Sequence, residues 1–200
     1  MTFQLFASHA PRWGLCFDWE TSGSDWNGDS SITYQGLSLG MAVFDTRTFD
    51  VVGELYLERK FDASRYLWSK EAEAIHGLSR EYLDANGLDE EEFVVQTIEF
   101  IIKYFGPNPV IMCMGHNIPY DLKFMSQLLS PHGLMFRPYH VLLDTAGVSF
   151  INFTTHKSDH LFQIAGVGER DTHNALIDVY MTIAAAKFMR DLVEEAVNGG

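Results

Sequence analysis

Residues 13–23 read WGLCFDWETSG. In an extended chain successive side chains point to opposite faces, so Leu15, Phe17 and Trp19 share one face and Cys16, Asp18 and Glu20 the other. Such a run suits the middle of a sheet, yet it sets two carboxylates side by side. Burying both without compensation is costly, because each disfavours ionisation of the other. The stretch therefore calls for a positive group between the two acids, or for a strand end that leaves them in water.

Outward from this strand, GLSLGMAVFD (36–45) and DVVGELYLER (50–59) read as two more strands joined by the turn TRTF (46–49). Together they make an antiparallel meander. SGSDWNGDSSITYQ (22–35) is a long polar loop leaving the acidic end of the first strand. KEAEAIHGLS (70–79) predicts a short helix ended by Gly77, and DEEEFVVQTIEFIIKYFG (89–106) a longer one with acids in its first turn and a stop at Gly106-Pro107. PVIMCM (109–114) is an apolar strand of the kind buried on both faces. A helix then begins within GHNIPYDLKFMSQLLS (115–130), with Pro119 as its first residue. YHVLLDT (139–145) predicts a fifth strand and residues 172–196 a last long helix. The pattern is that of a mixed α/β layer structure.

With 200 residues, of which 46% are hydrophobic and 14% aromatic, the chain suits one domain with a full core and no long disordered tract. No apolar run is long enough to span a membrane, and the N-terminal MTFQLFASHAPRWG lacks the basic, apolar and small-residue order of a secretory signal. Cys16 and Cys113 fall in apolar strand-like runs and read as buried free thiols, so a cytoplasmic location is expected. The net charge of -13, from 14 Lys plus Arg against 27 acids, opposes a broad grip on nucleic acid. It leaves two readings: no polyanion partner, or a short nucleic-acid end whose phosphate is met by metal ions.

Further candidates lie at the edges of core elements. Asp121 falls in the first turn of its helix and shares a face with Phe124, Met125 and Leu128. Asp178 sits on a small-residue stripe with Ala175, Thr182 and Ala185, which would let the helix backbone approach the sheet, while Leu176, Val179, Tyr180 and Ile183 pack its bulk. His173 is five residues earlier, about 140° around a helix of 3.6 residues per turn. It can meet Asp178 only from a loop before the helix, which GERDT (168–172) permits. Each residue alone has an ordinary reading as a cap, a dipole partner or a surface histidine. Together, four acids and one histidine suit two Mg²⁺ (or Mn²⁺) ions about 3.5–4 Å apart, clamping both oxygens of a phosphodiester displacement. A histidine titrating near neutrality would take the proton of the attacking water.

FDWETSG, HNIPYD and HNALID, in this order, resemble the three motifs of the DnaQ-like (DEDDh) 3′→5′ exonucleases, a superfamily that includes polymerase proofreading domains, RNase T and oligoribonuclease. EAEAIHGLS is similar to that family's helix ending in a His-Gly pair. The resemblance runs from about Trp13 to Val193, leaving residues 1–12 as an N-terminal extension of a single exonuclease domain. It implies an RNase H-like fold, metal-binding roles for Asp18, Glu20, Asp121 and Asp178, and His173 as general base. It also implies contacts to the terminal nucleotide from Thr21, Ser22 and Gly23, and from Asn117, Tyr120 and His76; for His76 a helix cap or core position is the alternative.

The expected activity is removal of nucleoside 5′-monophosphates from single-stranded 3′ ends of DNA or RNA, on short rather than long substrates because the acidic balance leaves little counterion-release affinity. Trp26 or Tyr34 would stack on a base or pack the loop. Alternatives are exoribonuclease trimming of the oligoribonuclease type, a phosphatase with an Asp nucleophile, or a silent binding module on the same fold. The chain ends soon after the last helix, so no accessory domain is expected; it would act alone, as a homodimer, or docked onto a polymerase.

Overall fold

The computed structural model describes residues 11–25, 28–170 and 172–198. Among these, the elements follow as β1 (Trp13–Thr21), α1 (Ser30–Thr33), β2 (Gly36–Asp45), β3 (Val51–Glu58), α2 (Lys70–His76), α3 (Arg80–Asn86), α4 (Glu90–Phe105), β4 (Met112–Gly115), α5 (Ile118–Leu129), β5 (Leu143–Asp144), α6 (Thr145–Phe153), α7 (Ser158–Ala165) and α8 (Ala175–Asn198). The strands form one sheet in the order β3-β2-β1-β4-β5. The first three make the antiparallel meander, whereas β4 runs parallel to β1 and β5 parallel to β4. This is a mixed five-stranded α/β sheet flanked by helices, as the sequence predicts.

The alternation in β1 decides the layering. Leu15, Phe17 and Trp19 pack with Phe93, Phe100 and Ile101 of α4 and with Phe124, Met125 and Leu128 of α5. The indole of Trp19 stacks on Phe93 with 5.8 Å between centroids. Cys16, on the other face, joins Ala42, Phe44, Met114, and Val179 and Ile183 of α8. Both cysteines are buried and unpaired. They cannot meet, because Cys113 lies across from Leu15 and therefore faces the other layer.

Several boundaries differ from expectation. The fifth strand shrinks to two residues. Residues around Arg137–Tyr139 bond to Ile111, the chain then leaves the ladder, and Asp144 ends the strand by capping α6 through the amide of Ala146. Pro119 is the second residue of α5, after Ile118. The 22–35 loop contains the one-turn α1, capped by Asp29. Helices α3, α6 and α7 were not expected. All are under ten residues, and in α6 the buried positions are Thr145 and Ser149, so no apolar stripe marks it in the sequence. Tyr180 lies on the exposed side of α8, bonded to Glu54; Val179 and Ile183 are buried as expected, and Met181 and Met189 add to them.

Candidate active site and metal centre

The site gathers where β1 outruns its parallel neighbour. Pairing with β4 covers only Gly14–Cys16, so the amide of Trp19 has no strand partner on that side. It donates instead to Asp121 Oδ1 at 3.1 Å. That bond draws the first turn of α5 across the sheet end and holds Asp121, 3% exposed, beside Asp18 and Glu20. The turn into α5 is set by Asn117, whose left-handed backbone (φ 63°) suits an Asn and whose amide donates to Asp144 Oδ1 at 2.9 Å.

Asp178 arrives from the opposite layer. Its helix begins only at Ala175, with the Asn174 side chain accepting from the amides of Leu176 and Ile177. The N-terminus of α8 rests on β2 at Gly40, the residue across from Asp18. A Cβ there would lie 2.4 Å from the backbone of Ala175 and Leu176, so only glycine allows this approach. His173 precedes the helix, its amide bonded to the carbonyl of Ile75, and its Nδ1 stands 3.6 Å from Asp178 Oδ2. The loop position that the spacing required is the one observed.

Asp18, Glu20, Asp121, Asp178, His173 and Tyr120 thus line one pocket of about 150 Å³. Burial pushes the pKa of all four carboxyls up. For Asp18 the charges of Asp121, Glu20 and Asp178 add to it, and Glu20 is pushed up to about 8. For Asp121 the bond from Trp19 works against the rise. Burial, with the nearby Arg170 charge, pushes His173 down, and Asp178 opposes this. Glu20 Oε1 and Asp178 Oδ1 are buried without a hydrogen-bond partner among the described residues. Ligand atoms of Glu20, His173 and Asp178 lie within 4.8 Å of one another. Repelling carboxyls with unmatched oxygens fit divalent cations.

Among the described residues no cation pairs with Asp18 or Glu20; the positive group nearby answers Asp178 instead. Arg170, its side chain 7% exposed, pairs with Asp178 and lies over the ring of Phe162. Sequence reading passed over it; the signal available was an arginine three residues before the candidate histidine. Gly40, Asp144 and His116 were missed too. His116 bonds Thr145 Oγ1 at 3.1 Å and the carbonyl of His156 at 2.8 Å, so both ring nitrogens are engaged.

The expected nucleotide contacts divide. The Thr21 hydroxyl donates to the Gly23 carbonyl and lies 3.3 Å from Tyr120 Oη, at the pocket's edge. Asn117 is exposed beside it. Ser22 is placed otherwise: its hydroxyl is fully buried, donating to the Leu67 carbonyl and accepting from Gln35, so it anchors the loop. His76 is buried, accepts from Leu78 at Nδ1 and packs edge-on to Trp68, which is the cap and core alternative. Tyr34 packs against Gly23; Trp26 lies outside the described residues.

The sequence matches no family model and no curated protein. Solved structures do resemble it. A structure of Escherichia coli exonuclease I in complex with a dT13 oligonucleotide superposes with a TM-score of 0.74 at 18% identity, covering 94% of this chain and 43% of that one. The zinc-bound complex of E. coli exonuclease I with single-stranded DNA gives 0.72 at 19%, over 94% and 42%. A 3′-exonuclease recognising a histone mRNA stem-loop gives 0.68 at 11%, over 90% and 64%. The chain therefore spans less than half of exonuclease I. With its mixed five-stranded sheet flanked by helices and these superpositions, the chain adopts the RNase H-like fold of the exonucleases it resembles.

Proposed function

We propose that this chain is a DnaQ-like 3′→5′ exonuclease, a hydrolase that releases nucleoside 5′-monophosphates from single-stranded 3′ ends of DNA or RNA. The observation that carries the reading is the meeting of Asp18, Glu20, Asp121, Asp178 and His173 in one pocket. The fold shared with exonuclease I and the 3′-exonuclease supports it.

Asp18, Glu20, Asp121 and Asp178 would hold two Mg²⁺ or Mn²⁺ ions, which supply charge neutralisation at the scissile phosphate. His173 is kept neutral near pH 7 by its lowered pKa and accepts the proton of the attacking water at Nε2, its Nδ1 being turned to Asp178. Thr21, Gly23 and Tyr120 form the rim against which the terminal nucleotide is oriented. Ser22 and the half-buried Tyr34 support that rim from behind. Under this reading the chain is one exonuclease domain working in the cytoplasm, alone, as a homodimer or docked onto a polymerase, states that sedimentation separates.

The test uses 5′-labelled DNA and RNA oligomers of several lengths with Mg²⁺ or Mn²⁺. A ladder shortening from the 3′ end, abolished by chelator, is expected. Internal cleavage, or turnover indifferent to cations, would refute the proposal, and a trapped phosphoryl-Asp would point to the phosphatase alternative. A second role for His173, as a cation ligand, is favoured by its ligand atom lying within 4.8 Å of those of Glu20 and Asp178. Cation titration of His173→Ala separates ligand from base.

A further inference from the structure

Arg170 presents one guanidinium to two anions. It pairs with Asp178 on α8, and it contacts Asp159 Oδ1 at 2.9 Å and Ser158 Oγ at 2.8 Å in the first turn of α7. Asp178 is buried, whereas the Asp159 side chain is 68% exposed. Asp178 Oδ2 is therefore shared between Arg170 and the imidazole of His173, while Oδ1 of the same carboxylate has no hydrogen-bond partner among the described residues. One carboxylate oxygen cannot serve a buried guanidinium and a divalent cation at full strength, since the two positive charges repel at short range. A guanidinium that gives up Asp178 still keeps a carboxylate, a hydroxyl and the face of Phe162, which is 5.3 Å away.

We propose that Arg170 sets the cation affinity of this site by competing for Asp178, with Asp159 and Ser158 retaining the guanidinium when a divalent cation takes the carboxylate. The proposal rests on the reading of the four acids as a metal site. It assigns α7, which carries none of the expected catalytic residues, the part of a holder that lowers the cost of releasing Asp178. Arg170 is thus a positioning residue acting through Asp178.

The test is calorimetric titration of Mn²⁺ into the wild-type chain, Arg170→Gln, Asp159→Asn and the double variant, with no substrate present. Arg170→Gln should bind Mn²⁺ about tenfold more tightly, within the usual range of coupling between two ligands. Asp159→Asn should bind more weakly than wild type, because the guanidinium loses its other anion and stays on Asp178. In the Arg170→Gln background the Asp159 substitution should have no further effect. Competition is overturned if Arg170→Gln binds no more tightly, or if Asp159→Asn weakens binding equally in both backgrounds, as a simple change in local field would. Should Arg170→Gln fail to fold, Asp159→Asn, altered at an exposed side chain, carries the test: affinity unchanged from wild type overturns the proposal. If the wild-type chain takes up no Mn²⁺, the metal site itself is wrong, an outcome distinct from wild-type binding that Arg170→Gln leaves unaltered.

Discussion

The two faces of β1 pack against opposite helical layers, with opposite consequences. Leu15, Phe17 and Trp19 meet α4 and α5 across an apolar seam, where each buried group is stabilised by its neighbours. Two residues of the other face, Asp18 and Glu20, meet acids from α5 and α8, and there burial raises the cost of every charge. One strand thus supplies both the core that holds the sheet and the strain that a cation would relieve. The difference teaches that stability and chemistry are divided here by side-chain parity within nine residues.

Substitutions at adjacent positions should break the symmetry most sharply. Asp18→Asn is expected to abolish hydrolysis in the labelled-oligomer assay and to raise the melting temperature in chelator, since one of several repelling groups is removed. Phe17→Ala, one residue away, should cost about 3–5 kcal/mol of stability in denaturant titration. Comparable destabilisation by both would erase the distinction between the faces. His173→Ala should lose roughly 10²–10⁴ in turnover with cation affinity retained; loss of Mn²⁺ binding in this variant would make it a ligand.

Gly40→Ala tests how closely α8 must approach the acidic face. Its added methyl meets helix backbone at 2.4 Å, so α8 must shift, and a cost of about 1–3 kcal/mol together with reduced turnover is expected. Wild-type turnover would mean that Asp178 tolerates displacement. The smallest effect is a pH window. Glu20 has a folded pKa of about 8 against an ordinary 4.5, so between those values the native state holds a proton that the unfolded chain has lost. Its contribution is present in full below about pH 4.5 and is lost as pH rises through 8. Melting curves in chelator should show this decline, and Glu20→Gln should make it shallower, the raised carboxyls of Asp18, Asp121 and Asp178 supplying the remainder. A variant declining as steeply as wild type would place the titration elsewhere.

Much of this arrangement was legible before any coordinates. Strands β2 and β3 end within a residue of the stretches expected for them, because the turn between them is set by local sequence. Gly77, in the left-handed conformation at φ 73°, ended α2 as its position demanded. Helical angle required His173 to stand before α8 if it was to meet Asp178, although the helix was expected from residue 172 and starts at Ala175. The fifth strand failed because its apolar run is consumed by a cap: Asp144 holds both Ala146 and Asn117, a competition between local hydrogen bonds that hydrophobicity does not register. Ser22 looked like a contact because it follows Glu20, yet its hydroxyl is claimed by Leu67, 45 residues away.

By itself the sequence determined which side chains share a face, where the helices must stop, and which residue types stand at the edges of the core, since all of these follow from backbone periodicity and local steric preference. Only the tertiary structure decided that Asp121 fills the hydrogen bond β4 leaves open at Trp19, that Gly40 admits α8 to within reach of Asp18, and that Arg170 answers one of four acids. Those outcomes depend on distances between segments up to 135 residues apart (Gly40 to Ala175), which are set by packing and not by any spacing along the chain.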